Sequence, residues 1–178
     1  QIKHFQQTCF QLDDDLRWLV ALISDTGMRL AEAAGLKIED LKLDHQHPHI
    51  TLIPYSHRTL KTKSSERVIP LVGSSLWAAQ RIKESSVNEF GFARYSNEEV
   101  CNSNSASAAL NKWIKTIAGK DAVIHGLRHS FRDRLREVEA PSELIDQLGG
   151  WSLQSVGQSY GNGYAIENMS KWLEKIVL

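Results

Sequence analysis

The chain has 178 residues, 42% of them hydrophobic, 24% charged and 8% aromatic, which is enough apolar material for the core of one globular domain. Only four Pro interrupt it, so disorder is disfavoured, and no apolar run approaches the roughly 20 residues of a membrane span. Lys and Arg total 21 and Asp and Glu also 21, and a net charge of zero taken alone argues against a strong nucleic-acid binder. The start of the chain lacks a basic segment followed by an apolar one, so no signal peptide is expected. Cys9 and Cys101 make neither a disulfide framework nor a zinc knuckle, and a reducing, cytoplasmic compartment follows as the default.

Charge is unevenly spread. Residues 1–50 hold five basic residues against eight acids, residues 55–83 hold six against one, and residues 111–136 hold seven against two. A neutral chain with two basic blocks can present a basic face, although solvated helix surfaces produce the same pattern.

In chain order, the spacing of Leu16, Leu19, Val20 and Ile23 predicts a first helix over 13–24, opened by Asp13, Asp14 and Asp15. Thr26-Gly27 ends it. A short helix over 29–35 follows, with Leu30, Ala33 and Ala34 inward and Gly35 as its C-cap. Strands are expected over 38–43, 49–53 and 66–71, separated by Pro48 and the polar stretch 56–65. Ser74 or Ser75 caps a helix reaching 86, and a Ser/Asn-rich loop over 96–107 leads into a helix over 108–118. Further helices are expected over 126–138, with Leu127, Phe131 and Leu135 on one face, and from Pro141 to the Gly149-Gly150 pair. A short segment bears Tyr160 and Tyr164, and Met169, Trp172, Leu173 and Ile176 give residues 167–178 an apolar helical face. The fold class is therefore α+β and mainly helical, a helical domain with a small three-stranded antiparallel sheet.

Several polar residues make a site when taken together. His125 and Arg128 stand three apart and share a helical face. With Arg29, which follows a glycine turn, they supply two guanidinium forks and an imidazole, a set that matches the paired oxygens of a phosphate. Lys61 or Lys63 in the hairpin can donate a proton, and a downstream tyrosine hydroxyl can act as nucleophile. Such a set can attack a phosphodiester without a metal, the positive side chains stabilising charge on the non-bridging oxygens. Singly, each residue also fits an ordinary surface or capping role.

The order of these motifs resembles the tyrosine recombinases, or phage integrases. Residues 26–36 (TGMRLAEAAGL) are similar to that family's first box, 61–71 (KTKSSERVIPL) to its lysine hairpin, 125–131 (HGLRHSF) to its second box, and 148–152 (LGGWS) with Tyr160 to its last. The resemblance spans about 13–165. It implies that Arg29 and Arg128 clamp the scissile phosphate, that His125 contacts a non-bridging oxygen or assists proton transfer, and that Lys61 protonates the 5′-oxygen leaving group. Tyr160 would attack phosphorus to give a 3′-phosphotyrosyl link, and Glu32 would support the arginine and lysine. Lys63, Arg67, Arg58, His129 and Arg132 are expected to contact DNA. Most relatives have histidine where this chain has Trp151; an indole N–H can still donate to phosphate, or the ring can simply be core. Tyr164 competes with Tyr160 and Lys63 with Lys61.

The same resemblance implies a catalytic domain of 1–178 without the family's N-terminal DNA-clamping domain, in the cytoplasm of a bacterial host. No cofactor is expected. The expected partners are double-stranded DNA carrying specific recombination sites, further copies of the chain in a tetramer on DNA, and accessory DNA-bending proteins, with no membrane. The C-terminal segment is expected to dock on a neighbouring protomer or to pack on its own chain. Two other readings stay open, an inactive DNA-binding relative and an enzyme of the type IB topoisomerase kind that only relaxes DNA. A metal site on His45, His47 and His49, which alternate along an extended segment, is a weak alternative.

Overall fold

The computed structural model describes residues 1–151 and 163–178. It opens with two helices, α1 (Ile2–Leu12) and α2 (Asp15–Thr26), where the spacing predicts one over 13–24. The additional helix buries Phe5, Gln6 and Cys9 on a single face. Asp13 takes a left-handed conformation between the helices, and the Asp14 side chain accepts the Arg17 N–H at 3.0 Å, so the acidic triplet serves as hinge and cap.

Helix α2 ends at Gly27, whose φ of 65° is left-handed. The glycine is required twice over, because a Cβ there would fall 2.3 Å from the buried Phe131 ring. We expect Gly27→Ala to cost about 1–3 kcal/mol through the sum of backbone strain and overpacking, read as a lower urea midpoint with an unchanged slope. Helix α3 (Leu30–Ala34) follows and Gly35 caps it, but at φ −94°, not in the left-handed form. Gly35 is small for another reason: a Cβ would lie 2.6 Å from the Arg58 side chain folded over it.

The sheet is shorter than its sequence suggests. Ile38–Asp40 is a 3-10 turn, because the Asp40 carboxylate accepts the Lys37 N–H at 2.9 Å and winds the chain tightly. Only Leu41–Lys42 remains as β1, beside β2 (His49–Leu52) and β3 (Arg67–Pro70) in the order β1-β2-β3. Both pairings are antiparallel, with Ile50 opposite Leu41 and Ile69 opposite Ile50. His45 and His47 lie in the turn before β2, not on one strand face with His49. The His45 ring accepts the His47 N–H and meets His49 edge-on at 4.8 Å. Among the described residues no three His, Cys, Asp or Glu side chains are grouped to hold a metal ion.

Helix α4 (Gly73–Glu84) packs along α2, which also touches α1, α3, α5 (Ser103–Ala118) and α6 (His125–Glu137). Helix α5 starts five residues earlier than 108 because Asn102 accepts the Ser105 N–H and caps it inside the Ser/Asn-rich stretch. A second apolar cluster joins α6, α7 (Ser142–Gly149) and α8 (Ile166–Glu174) through Phe131, Leu135, Leu144, Leu148, Met169 and Leu173. The C-terminal helix thus spends its apolar face on its own chain. No described helix is long and apolar enough to cross a membrane.

Candidate active site

Charge collects where α3, the β2–β3 loop, α6 and the C-terminus of α7 meet. Arg29 stands just before α3, and its backbone N–H is held by the Glu32 carboxylate at 2.9 Å. The Arg29 guanidinium donates from Nη1 to Glu32 at 3.0 Å and to Ser65 Oγ at 3.2 Å. Glu32 is 3% exposed and also takes both terminal nitrogens of Arg67, at 3.2 and 3.0 Å. Burial alone would raise the Glu32 carboxyl, yet the charges and hydrogen bonds of Arg67 and Arg29 outweigh it and hold the group below its usual value.

Arg128 enters from the first turns of α6 and is 3% exposed. Its Nη1 donates to the Gly27 carbonyl, and its buried Nη2 has no hydrogen-bond partner among the described residues. Burial, then the neighbouring Arg29 and Arg67, push this guanidinium down to about 9. One buried carboxylate thus faces three guanidinium groups, so the pocket carries uncompensated positive charge and a spare donor. An anion is the natural complement.

His125 begins α6, with its ring centroid 4.9 Å from that of His129. Partial burial comes first, then the charges of His129, Arg128, Arg29 and Lys61, in holding the His125 imidazole below its ordinary value. Lys61 therefore lies within electrostatic reach of the site; Lys61 and Lys63 are both exposed. Trp151 follows α7, with the guanidinium carbons of Arg128 and Arg132 at 4.2 and 4.6 Å from its ring. The ring covers Gly149, where a Cβ would fall 1.8 Å away, so the Gly-Gly-Trp order is a packing requirement. Trp151 is both partly core and a wall of the charged pocket.

Some expected residues lie elsewhere in the wall. Arg58 and Arg67, read from sequence as DNA contacts, are 4% and 8% exposed and bonded inside the protein. The Arg58 guanidinium donates to the Glu32 and Ile53 carbonyls. That of Arg67 is committed to Glu32, Ser65 and Leu148, so both brace the site from behind. Glu32 meets Arg29 and Arg67, and no lysine accompanies them among the described contacts. His129 and Lys63 are exposed, while Arg132 is half-buried and pairs with Asp146 at 3.5 Å. Tyr160 lies outside the described residues. Sequence reasoning passes over Ser65 and Asp146. Ser65 stood inside the hairpin motif as a plain linker residue, and nothing in the sequence marks Asp146 as the partner of Arg132.

Comparison with known proteins bears on this arrangement. The model of the phage integrase family matches residues 1–165. The chain is 26% identical over 155 residues to prophage integrase IntF of Escherichia coli (strain K12), covering 85% of this chain and 31% of that protein. It is 28% identical over 151 residues to tyrosine recombinase XerD of Corynebacterium glutamicum, covering 81% of this chain and 47% of that protein. It therefore spans less than half the length of either relative. Among solved structures it is similar to XerH site-specific recombinase bound to palindromic difH substrate, with a TM-score of 0.62 at 20% identity over 97% of this chain and 47% of the other. It is also similar to the Tn1549 transposon integrase in complex with circular intermediate DNA, with a TM-score of 0.62 at 18% identity over 98% of this chain and 64% of the other. These structural likenesses establish the fold, a helical architecture with a small antiparallel sheet.

Proposed function

The chain belongs to the phage integrase family, and from that premise we propose that it carries out site-specific DNA recombination by metal-independent strand cleavage and rejoining. The observation that carries the reading is the uncompensated charge of the half-buried Arg29 and the buried Arg67 and Arg128 around Glu32, with the Arg128 Nη2 donor unpartnered among the described residues. A phosphodiester supplies what that pocket lacks. Arg29 and Arg128 hold its non-bridging oxygens, and their fixed donors stabilise the charge gathered in the transition state. The indole N–H of Trp151 adds a donor from the side of α7.

The Tyr160 hydroxyl attacks phosphorus and forms a 3′-phosphotyrosyl bond while the bond to the 5′-oxygen breaks. Lys61, whose charge acts on His125, gives the departing oxygen its proton. His125, held largely neutral near pH 7, accepts the proton that the tyrosine releases. The 5′-hydroxyl of a second strand then attacks the phosphotyrosyl bond, which retains the energy for rejoining, so no nucleotide cofactor is needed. His129, Lys63 and Arg132 contact the flanking backbone. Double-stranded recombination sites are the substrate, further copies of the chain assemble on them as a tetramer, accessory DNA-bending proteins assist, and the bacterial cytoplasm is the setting.

The test is to incubate the full-length protein with DNA carrying the ends of its own element, in chelator. A detergent-resistant protein–DNA adduct and strand exchange between two sites are the expected results, unchanged by the chelator. Rejoining of the same strand only would make it a relaxing enzyme. Tight binding with no adduct would make it a DNA-binding relative without chemistry.

A further inference from the structure

We propose that Arg67 is a positioning residue that ties the two halves of the site together, a role resting on the strand-cleavage reading above. Its guanidinium reaches three separate elements. Nε donates to the Leu148 carbonyl at 2.7 Å, Nη1 to the Ser65 carbonyl at 2.6 Å and to Glu32 Oε1 at 3.2 Å, and Nη2 to Glu32 Oε2 at 3.0 Å. With its side chain 4% exposed and the Glu32 side chain 3%, this ion pair is closed to solvent. A guanidinium has five N–H groups. Four contacts inside the protein leave little for a DNA phosphate.

Each contact fixes a different part of the pocket. Through Glu32, Arg67 sets the carboxylate that holds both the backbone N–H and the Nη1 of Arg29. Through Ser65, whose hydroxyl receives Arg29, it sets the base of the lysine-bearing loop. Through Leu148 it satisfies one of the four carbonyls that a helix leaves free at its C-terminus, and places a cation at the favourable end of the α7 dipole. The chain then turns through Gly150 at φ 63°, so close that a Cβ there would lie 2.6 Å from Arg67 Nη1. That turn delivers the Trp151 ring to Arg128. A planar fork spans these directions at once; an ammonium does not.

The experiment compares Arg67→Lys and Arg67→Met with the wild type in the full-length protein, each first checked for folding by circular dichroism. Arg67→Lys keeps the charge beside Glu32 but cannot also reach Leu148. We expect its DNA affinity to stay within about threefold, and its single-turnover cleavage to fall about 100-fold, as misplacement by about an ångström does. Trp151 emission, isolated by difference against Trp151→Phe, is expected to change in both variants. Wild-type cleavage with unchanged emission in Arg67→Lys would overturn the proposal. So would a parallel loss of affinity with a salt slope lower by about one, the signature of a direct phosphate contact. If the wild type itself made no adduct, the cleavage reading would fail, and the emission arm would still decide whether Arg67 sets Trp151. Should neither variant fold, hydrogen exchange of the Arg67 Nε–H in the wild type decides: protection is expected, and free exchange sinks the idea.

Discussion

Glu32→Gln is expected to lower the stability of the fold by about 3–5 kcal/mol, the usual consequence of removing one partner from a buried ion pair. The substitution is nearly isosteric, so the loss is electrostatic. Arg29, Arg67 and Arg128 would be left with no carboxylate between them, and the new amide NH₂ would point a donor at a guanidinium donor. Burial decides the size of the effect. The Asp13–Arg81 pair is shorter, at 2.7 Å against 3.0 Å for Glu32–Arg67, but both its side chains are about one-third exposed. Breaking it is expected to cost much less than breaking the Glu32–Arg67 pair, because solvent screens it. Urea unfolding of Glu32→Gln and Asp13→Asn side by side measures the difference, and equal losses would contradict it. The pH dependence has a definite sign. The Glu32 carboxyl is held below its unfolded value of 4.5, so its contribution is fully present above that value and is lost as the pH falls through the folded one. The acid limb of the wild-type stability curve should therefore be steeper than that of Glu32→Gln.

The parts of this molecule that were legible in its sequence are those in which one residue type has one physical use. Helical spacing located α2, α6 and α7, and three short β-rich runs located the three-stranded antiparallel sheet. The charges of Arg29, Arg128 and Lys61 all act on His125. Helix α1 was missed because Gln6 and Cys9 on its inner face do not read as apolar periodicity, although Gln6 is buried against Ser24 and Asp25 at 3.0 Å. Arg58 and Arg67 illustrate a different limit. A basic residue in a basic motif reads as a phosphate contact, and only the positions of Glu32 and of free backbone carbonyls turn it inward. Carbonyls carry no sequence signal. The first strand is shortened to Leu41–Lys42 for a related reason, since Asp40 capping Lys37 is a local side-chain bond that overrides the alternation around it.

Tyr160→Phe is expected to abolish the covalent protein–DNA adduct, with cleavage reduced by on the order of 10⁴-fold or more, because a phenyl ring offers no nucleophile. Tyr164→Phe is expected to leave adduct formation within about threefold of wild type. The surroundings of Tyr164 argue for that difference. Its backbone N–H donates to Gln147 Oε1 at 2.7 Å, its carbonyl accepts Gln147 Nε2 at 3.0 Å, and its side chain packs on the α6–α8 apolar cluster. Both backbone groups are thus bound to α7, and the ring is engaged in packing, whereas a nucleophile must bring its hydroxyl to within about 3–3.5 Å of phosphorus, in line with the leaving oxygen. Gln147 makes the contrast testable on its own. Gln147→Ala releases the Tyr164 backbone and should lower stability by about 1–2 kcal/mol without removing the hydroxyl of either tyrosine. Adduct lost with Tyr164→Phe and kept with Tyr160→Phe would reverse the assignment while preserving the chemistry. Adduct kept in both single variants and lost only in the double would mean that either hydroxyl can reach the phosphate, and that the Gln147 clamp is too weak to withhold Tyr164.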